Sequence, residues 1–190
     1  MFDKELALIK NNEFREDIKT ILNRLPLYFY EVPASSTGKY HPAFSLGEGG
    51  LVRHTKAAIK IAQDLLVLNL FSDITDEEKD LIFGSLIIHD GLKYGYDYDV
   101  KSYFKHPLYI SNFVLELLNE GVFKSNKLKI IELAHIVSTH MGQWNTSKYS
   151  DVTLPLPSTH IDHFVHLCDY ISSKKYIDMK FDDIDIQEVM

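Results

Sequence analysis

The fold class this sequence predicts is an all-α, single-domain helical bundle. Apolar residues recur at spacings of three and four through most of the chain, and capping residues and glycine or proline stops break that pattern into helix-length pieces. The third observation is size: 190 residues with 45% hydrophobic and 12% aromatic content can bury one sizeable core without a second domain. No strand ladder is required, and neither an internal repeat nor a low-complexity segment is visible. The division expected is N-terminal helices over 1–30, a ligand-bearing core over about 33–175 and an acidic tail over 176–190.

The elements follow in order. Phe2, Leu6 and Ile9, then Phe14, Ile18, Ile21, Leu22 and Leu25, form the apolar stripe of one or two amphipathic helices that Pro26 ends. A loop is expected from Glu31 to Gly49, marked by Pro33, Ser35, Ser36, Gly38 and Pro42. The next helix runs from about Gly50 to Leu70, with His54, Ala58, Ile61, Ala62 and Leu65 on one face, so His54 points inward. Thr75-Asp76-Glu77-Glu78 has capping-box form and opens a helix that delivers His89 and Asp90 at its last turn. A tyrosine-rich loop leads to His106-Pro107, where proline suits a first helical turn, and that helix stops at Gly121. Ser125 or Asn126 caps the next helix, which carries His140 and ends at Gly142. The last helix begins near Ser158, with Asp162, His166 and Asp169 along one stripe and Cys168 beside them.

The net charge of −7 argues against a protein whose task is to hold long nucleic acid on a broad basic surface. A single cysteine, Cys168, excludes an internal disulfide and reads as a small core residue. No apolar run approaches the roughly 18 residues of a membrane span, and the charged start Met1-Phe2-Asp3-Lys4-Glu5 is no signal peptide, so the expected location is cytoplasmic.

What remains conspicuous is a scatter of histidines closed by one late aspartate: His54, the doublet His89-Asp90, His106, His135, His140 and Asp169. No spacing among them is a compact motif, so the set has meaning only if several helices bring the side chains together. Imidazole and carboxylate are nitrogen and oxygen ligands suited to a divalent first-row metal, and such a metal can acidify a bound water to near neutral pH.

The ordered series resembles the HD superfamily of metal-dependent phosphohydrolases, in particular small HD proteins of phages and bacteria. The family pattern is a His on one helix, a His-Asp pair ending a later helix and an Asp further on; the matching residues are His54, His89, Asp90 and Asp169. Gly49-Gly50-Leu51-Val52-Arg53-His54 is similar to the family's Gly-Gly-Leu-x-x-His entry. Ile87-Ile88-His89-Asp90-Gly91-Leu92-Lys93 is similar to its apolar-His-Asp-x-x-Lys segment, with Gly91-Leu92 in inverted order. His106 and His140-Met141-Gly142 match positions that hold a second ion in two-metal subfamilies. His135, five residues before His140, has a spacing seen in HD-class exoribonucleases; it is a ligand, a partner that orients His140, or a core residue.

The resemblance implies one or two divalent ions (Mn, Fe, Mg, Zn, Co or Ni), with Asp90 bridging the two positions and a metal-activated hydroxide attacking phosphorus. Lys93 would then pair with a phosphate oxygen, its plain alternative being a solvent-facing lysine at a helix end. The loop Pro33-Ala34-Ser35-Ser36-Thr37-Gly38-Lys39-Tyr40-His41-Pro42 resembles a Pro-Ala-Ser…Tyr-His stretch of small HD proteins. Lys39, Tyr40 and His41 are accordingly substrate-binding candidates, against a capped turn with Tyr40 packed inward. Trp144 either stacks a base or covers the core, the core being the expected place. His160, His163 and His166 are surface or supporting residues. Three functions stand: a phosphohydrolase acting on a nucleotide or short oligonucleotide, a di-iron oxygenase using the same cage, and a non-catalytic nucleotide-binding module.

Overall fold

The computed structural model describes residues 1–35, 38, 39 and 41–181. Among these the chain is helical without a strand: α1 (Asp3–Leu6), α2 (Asn12–Leu22), α3 (Tyr28–Glu31), α4 (Gly50–Leu66), α5 (Asp76–Ile88), α6 (His106–Asn119), α7 (Lys127–Thr139) and α8 (His160–Ser172). Short 3-10 turns at Ala43–Ser45, Asn69–Phe71 and Val100–Lys105 fill the longer connections. No helix among the described residues is long and apolar enough to cross a membrane.

Helix α5 is the hub. Residues Asp80 to Ile88 are all buried, on every side of the helix, which is the pattern of an element enclosed by others rather than lying on a surface. It packs against α2, α4, α7 and α8, while α6 and α7 pair with each other and α8 lies along α4. The expected Thr75 capping box is present, with Glu78 N donating to Thr75 Oγ1 and Thr75 N to Glu78 Oε2. The helix therefore starts at a fixed residue and brings His89 to its C-terminal end as the cap.

Two buried carboxylates fix helix connections, one from the hub and one from α2. Asp80 accepts from the amides of Lys10 and Asn11, at 2.6 and 2.9 Å, and fixes the α1–α2 connection. Asp17 of α2 accepts from Lys124 and Ser125, both at 2.8 Å, and fixes the α6–α7 connection. Each buried carboxylate thereby accepts from two successive loop amides.

Three departures from the sequence reading have local causes. Helix α4 ends at Leu66 instead of Leu70: Val67 and Leu70 are 80% and 78% exposed, so the stripe has nothing to bury against beyond that point. A short helix, α3, forms after Pro26, where only a stop was expected. Asp162 is buried on α8 as expected, but its carboxylate closes a capping box with Thr159, a cap that the sequence reading did not assign.

The loop before α4 lies tightly on the helix entrance. A Cβ on Gly50 would sit 2.3 Å from the Ser45 carbonyl oxygen, so only glycine permits this approach. Leu51 N donates to Val32 O at 2.9 Å and Ala34 N to Ser45 O at 3.0 Å. The Arg53 guanidinium donates to the carbonyls of Phe44 and Leu46. The loop thus reaches the same end of the bundle as His54.

Candidate metal centre

Helix ends supply most of the cluster. His89 is the C-cap of α5 and Asp90 follows it, His106 opens α6, and His140 is the C-cap of α7. His54 stands one turn into α4 and Asp169 near the end of α8. All but Asp169 are buried to 3% exposure or less. These atoms form two overlapping groups, His54, His89 and Asp90, then Asp90, His106 and His140, each with its donor atoms within 4.8 Å of one another.

Asp90 belongs to both groups and divides its oxygens between them. Its Oδ2 lies 3.7 Å from the Nε2 of both His54 and His89. Its Oδ1 lies 2.9 Å from His106 Nε2 and 3.9 Å from His140 Nε2. Asp169 adds a second carboxylate to the first group, with Oδ1 2.9 Å from His54 Nε2 and 3.5 Å from His89 Nε2.

The imidazoles are oriented from behind. His89 Nδ1 donates to Leu86 O at 2.8 Å, His140 Nδ1 to Val137 O at 2.7 Å, and His106 Nδ1 to Tyr103 O. A ring that donates from Nδ1 presents the Nε2 lone pair in its neutral form, the tautomer a metal ligand requires. His54 is held similarly: Ser172 Oγ, 3.2 Å from Nδ1, donates its own proton to Asp169 O. Ser172 thus ties the His54 ring to the backbone of α8 at Asp169, a role the sequence reading missed although the i, i+3 spacing from Asp169 marks the same helix face.

These residues fit a divalent metal. His106 Nε2 and His140 Nε2 face each other at 2.8 Å, each ring already donating through Nδ1. Two lone pairs that close repel unless positive charge lies against both. His89 Nε2 is buried and has no hydrogen-bond partner among the described residues, an arrangement that costs free energy when nothing binds there. Every donor is nitrogen or oxygen, the set suited to a divalent first-row ion.

The charges are shaped by this crowding. Burial alone would raise the carboxyl of Asp90, but Lys93, His89 and His106 outweigh it and hold the group well below the usual range. For Asp169 burial is likewise overcome, here by the hydrogen bond to His54 and by the nearby His89 ring. Burial, with His106 and His89 nearby, pushes His140 down to about 3. Lys93 pairs with Asp90 Oδ2 at 2.5 Å, and although burial opposes its charge, Asp90 raises it.

The centre forms the floor of a cavity of about 540 Å³, lined also by Ala34, Ser35, His41, Lys93, Tyr103, Met141, Trp144, His166 and Tyr170. His41 lies 5.9 Å from the His54 ring, centroid to centroid, and burial, then His54 and Lys93, push it down to about 4. Comparisons with protein-family models, curated proteins and solved structures give no match to this chain.

Not every candidate meets here. His135 is a correction: its side chain is 45% exposed and its Nε2 lies 3.2 Å from Asp162 Oδ2, so it is neither ligand nor support for His140. Lys39 is exposed and is not among the residues lining the cavity. Tyr40 lies outside the described residues. Trp144 corrects the expectation of a core residue, being 42% exposed on the cavity wall. His166 supports the site, donating from Nδ1 to His140 O at 2.7 Å. Gly142 permits that contact, since a Cβ there would meet the His166 ring at 2.3 Å and its φ is +57°.

Proposed function

We propose that the protein is a metal-dependent phosphohydrolase of the HD type, acting on a nucleotide or short oligonucleotide phosphoester. The observation that carries this reading is the division of Asp90, one oxygen toward each histidine group, in a buried centre that opens into a cavity. His54, His89, Asp90 and Asp169 would hold one divalent ion, and Asp90, His106 and His140 a second. When bound, such ions supply Lewis acidity and a water acidic enough to serve as nucleophile near neutral pH.

The chain's own groups do the rest. Lys93 keeps an ammonium at the cavity wall next to Asp90, where it can take a phosphate oxygen and stabilise the charge that oxygen gains in the transition state. His41, uncharged at neutral pH, offers a hydrogen bond to the phosphoester without adding charge. The Nδ1 contacts to backbone carbonyls hold the ligand rings still, so little reorganisation is required during the reaction.

Turnover of nucleoside phosphates in ¹⁸O-labelled water, with manganese or magnesium and without dioxygen, tests this. One labelled oxygen should enter each phosphate released. Product formation that requires dioxygen would establish the oxygenase instead, and tight nucleotide binding without turnover in any metal would establish a binding module.

A further inference from the structure

We propose that Trp144, backed by Tyr170, is a platform on which the base of one bound nucleotide stacks; the proposal rests on the nucleotide reading above and narrows it to a single nucleotide in the cavity. The indole is 42% exposed although it stands in the wall of the pocket that the histidine and aspartate groups floor. A large apolar ring left open to water beside a polar centre gains when a flat partner covers it.

Its setting is already fixed. The Tyr170 ring lies behind the indole with centroids 4.9 Å apart and planes 19° from parallel. Lys174 Nζ stands 3.2 Å from the Tyr170 centroid and 5.6 Å from that of Trp144, holding both rings by cation–π attraction. His166 tilts against the indole at 5.6 Å and bonds to the carbonyl of His140, joining this wall to a residue of the second metal group. A ring held in this way loses little side-chain freedom when a ligand arrives.

Size and charge select the ligand. Lys93 and the metal groups provide for a phosphate, and Ala34, Met141, Trp144 and Tyr170 add apolar and aromatic surface to the same cavity lining. About 540 Å³ falls in the range of pockets for one small molecule. The net charge of −7 disfavours a long strand. Stacking tolerates any base, so this platform selects for the presence of a base more than for its identity.

Trp144 is the only tryptophan, so its fluorescence reports the contact directly. Metal-stripped and zinc-loaded protein should be titrated with the four common nucleoside 5′-monophosphates and with ribose 5-phosphate, which lacks a base. At least one nucleotide should quench the emission strongly while ribose 5-phosphate leaves it nearly unchanged. By calorimetry, Trp144→Ala should weaken nucleotide binding roughly tenfold or more and leave ribose 5-phosphate unaffected, with Trp144→Phe retaining most of the affinity. Should Trp144→Ala fail to fold, the wild-type quenching and Trp144→Phe still decide. Equal responses to nucleotide and ribose 5-phosphate, or unchanged nucleotide affinity in folded Trp144→Ala, overturn the platform. Hydrolysis of ribose 5-phosphate or a simple phosphodiester is scored separately: quenching without hydrolysis by any metal leaves the platform and removes the hydrolase, and the reverse removes only the platform.

Discussion

Asp90 is the residue on which the centre turns, because its two oxygens serve different histidines and its charge also holds Lys93. Asp90→Asn keeps the shape and removes the charge from both groups, whereas His140→Ala removes a donor from one. Metal analysis after dialysis should therefore show Asp90→Asn losing ions at both positions and His140→Ala losing at most one. Full occupancy in Asp90→Asn would sink the assignment. Because that change leaves the buried Lys93 ammonium unpaired, Asp90→Asn/Lys93→Met is the control for folding. Lys93→Met alone should lower kcat on the order of a hundredfold, since its charge acts on the transition state. His41→Ala should mainly raise KM, and Lys39→Ala, outside the cavity wall, should change neither by much. Steady-state kinetics at matched metal content checks all three.

At the scale of elements, helix termini do most of the positioning, and their chemistry explains what was readable. The Thr75 capping box and the Gly121 and Gly142 stops are local signals, so the ends that place His89, Asp90 and His140 could be found from sequence. His135 and Asp162 could not be sorted that way. Both occupy plausible helical positions, yet Asp162 is drawn off by the amides of Ser158 and Thr159, at 2.9 Å each, and His135 follows it. Trp144 follows a glycine turn whose direction depends on His166, far along the chain, and no local pattern announces that. The cap makes its own prediction. Burial opposes ionisation of Asp162, but the bonds from Ser158 and Thr159, with His135, hold its carboxyl below the usual value. A carboxyl depressed in the folded state stabilises above its unfolded pKa, near about 4, and loses that contribution as pH falls through the folded value. Asp162→Asn should cost about 1 kcal/mol at neutral pH and should flatten the acid limb of stability, measured by urea unfolding between about pH 3 and 6. An unchanged acid limb would mean that other carboxylates set it.

Across the whole molecule, the centre draws on α4, α5, α6, α7 and α8, so anything that binds it clamps five helices at once. Saturating metal, at about a hundred times its dissociation constant, should stabilise the fold by about 2.7 kcal/mol and raise Tm by roughly 5–10 °C, with a chelator reversing the shift. Scanning calorimetry with manganese, zinc and chelator measures this, and an unmoved Tm would show that no ion couples to folding. The bundle itself was legible from the three-and-four periodicity, whereas the paired lone pairs of His106 and His140 appear only in three dimensions. The contact between His54 and Asp169 joins positions 115 residues apart. A ribosome therefore releases His54, His89, Asp90, His106 and His140 before the helix that carries the remaining carboxylate exists. A growing chain can gather Asp90, His106 and His140 early, but the group around His54 gains its second carboxylate last, when α8 docks along α4.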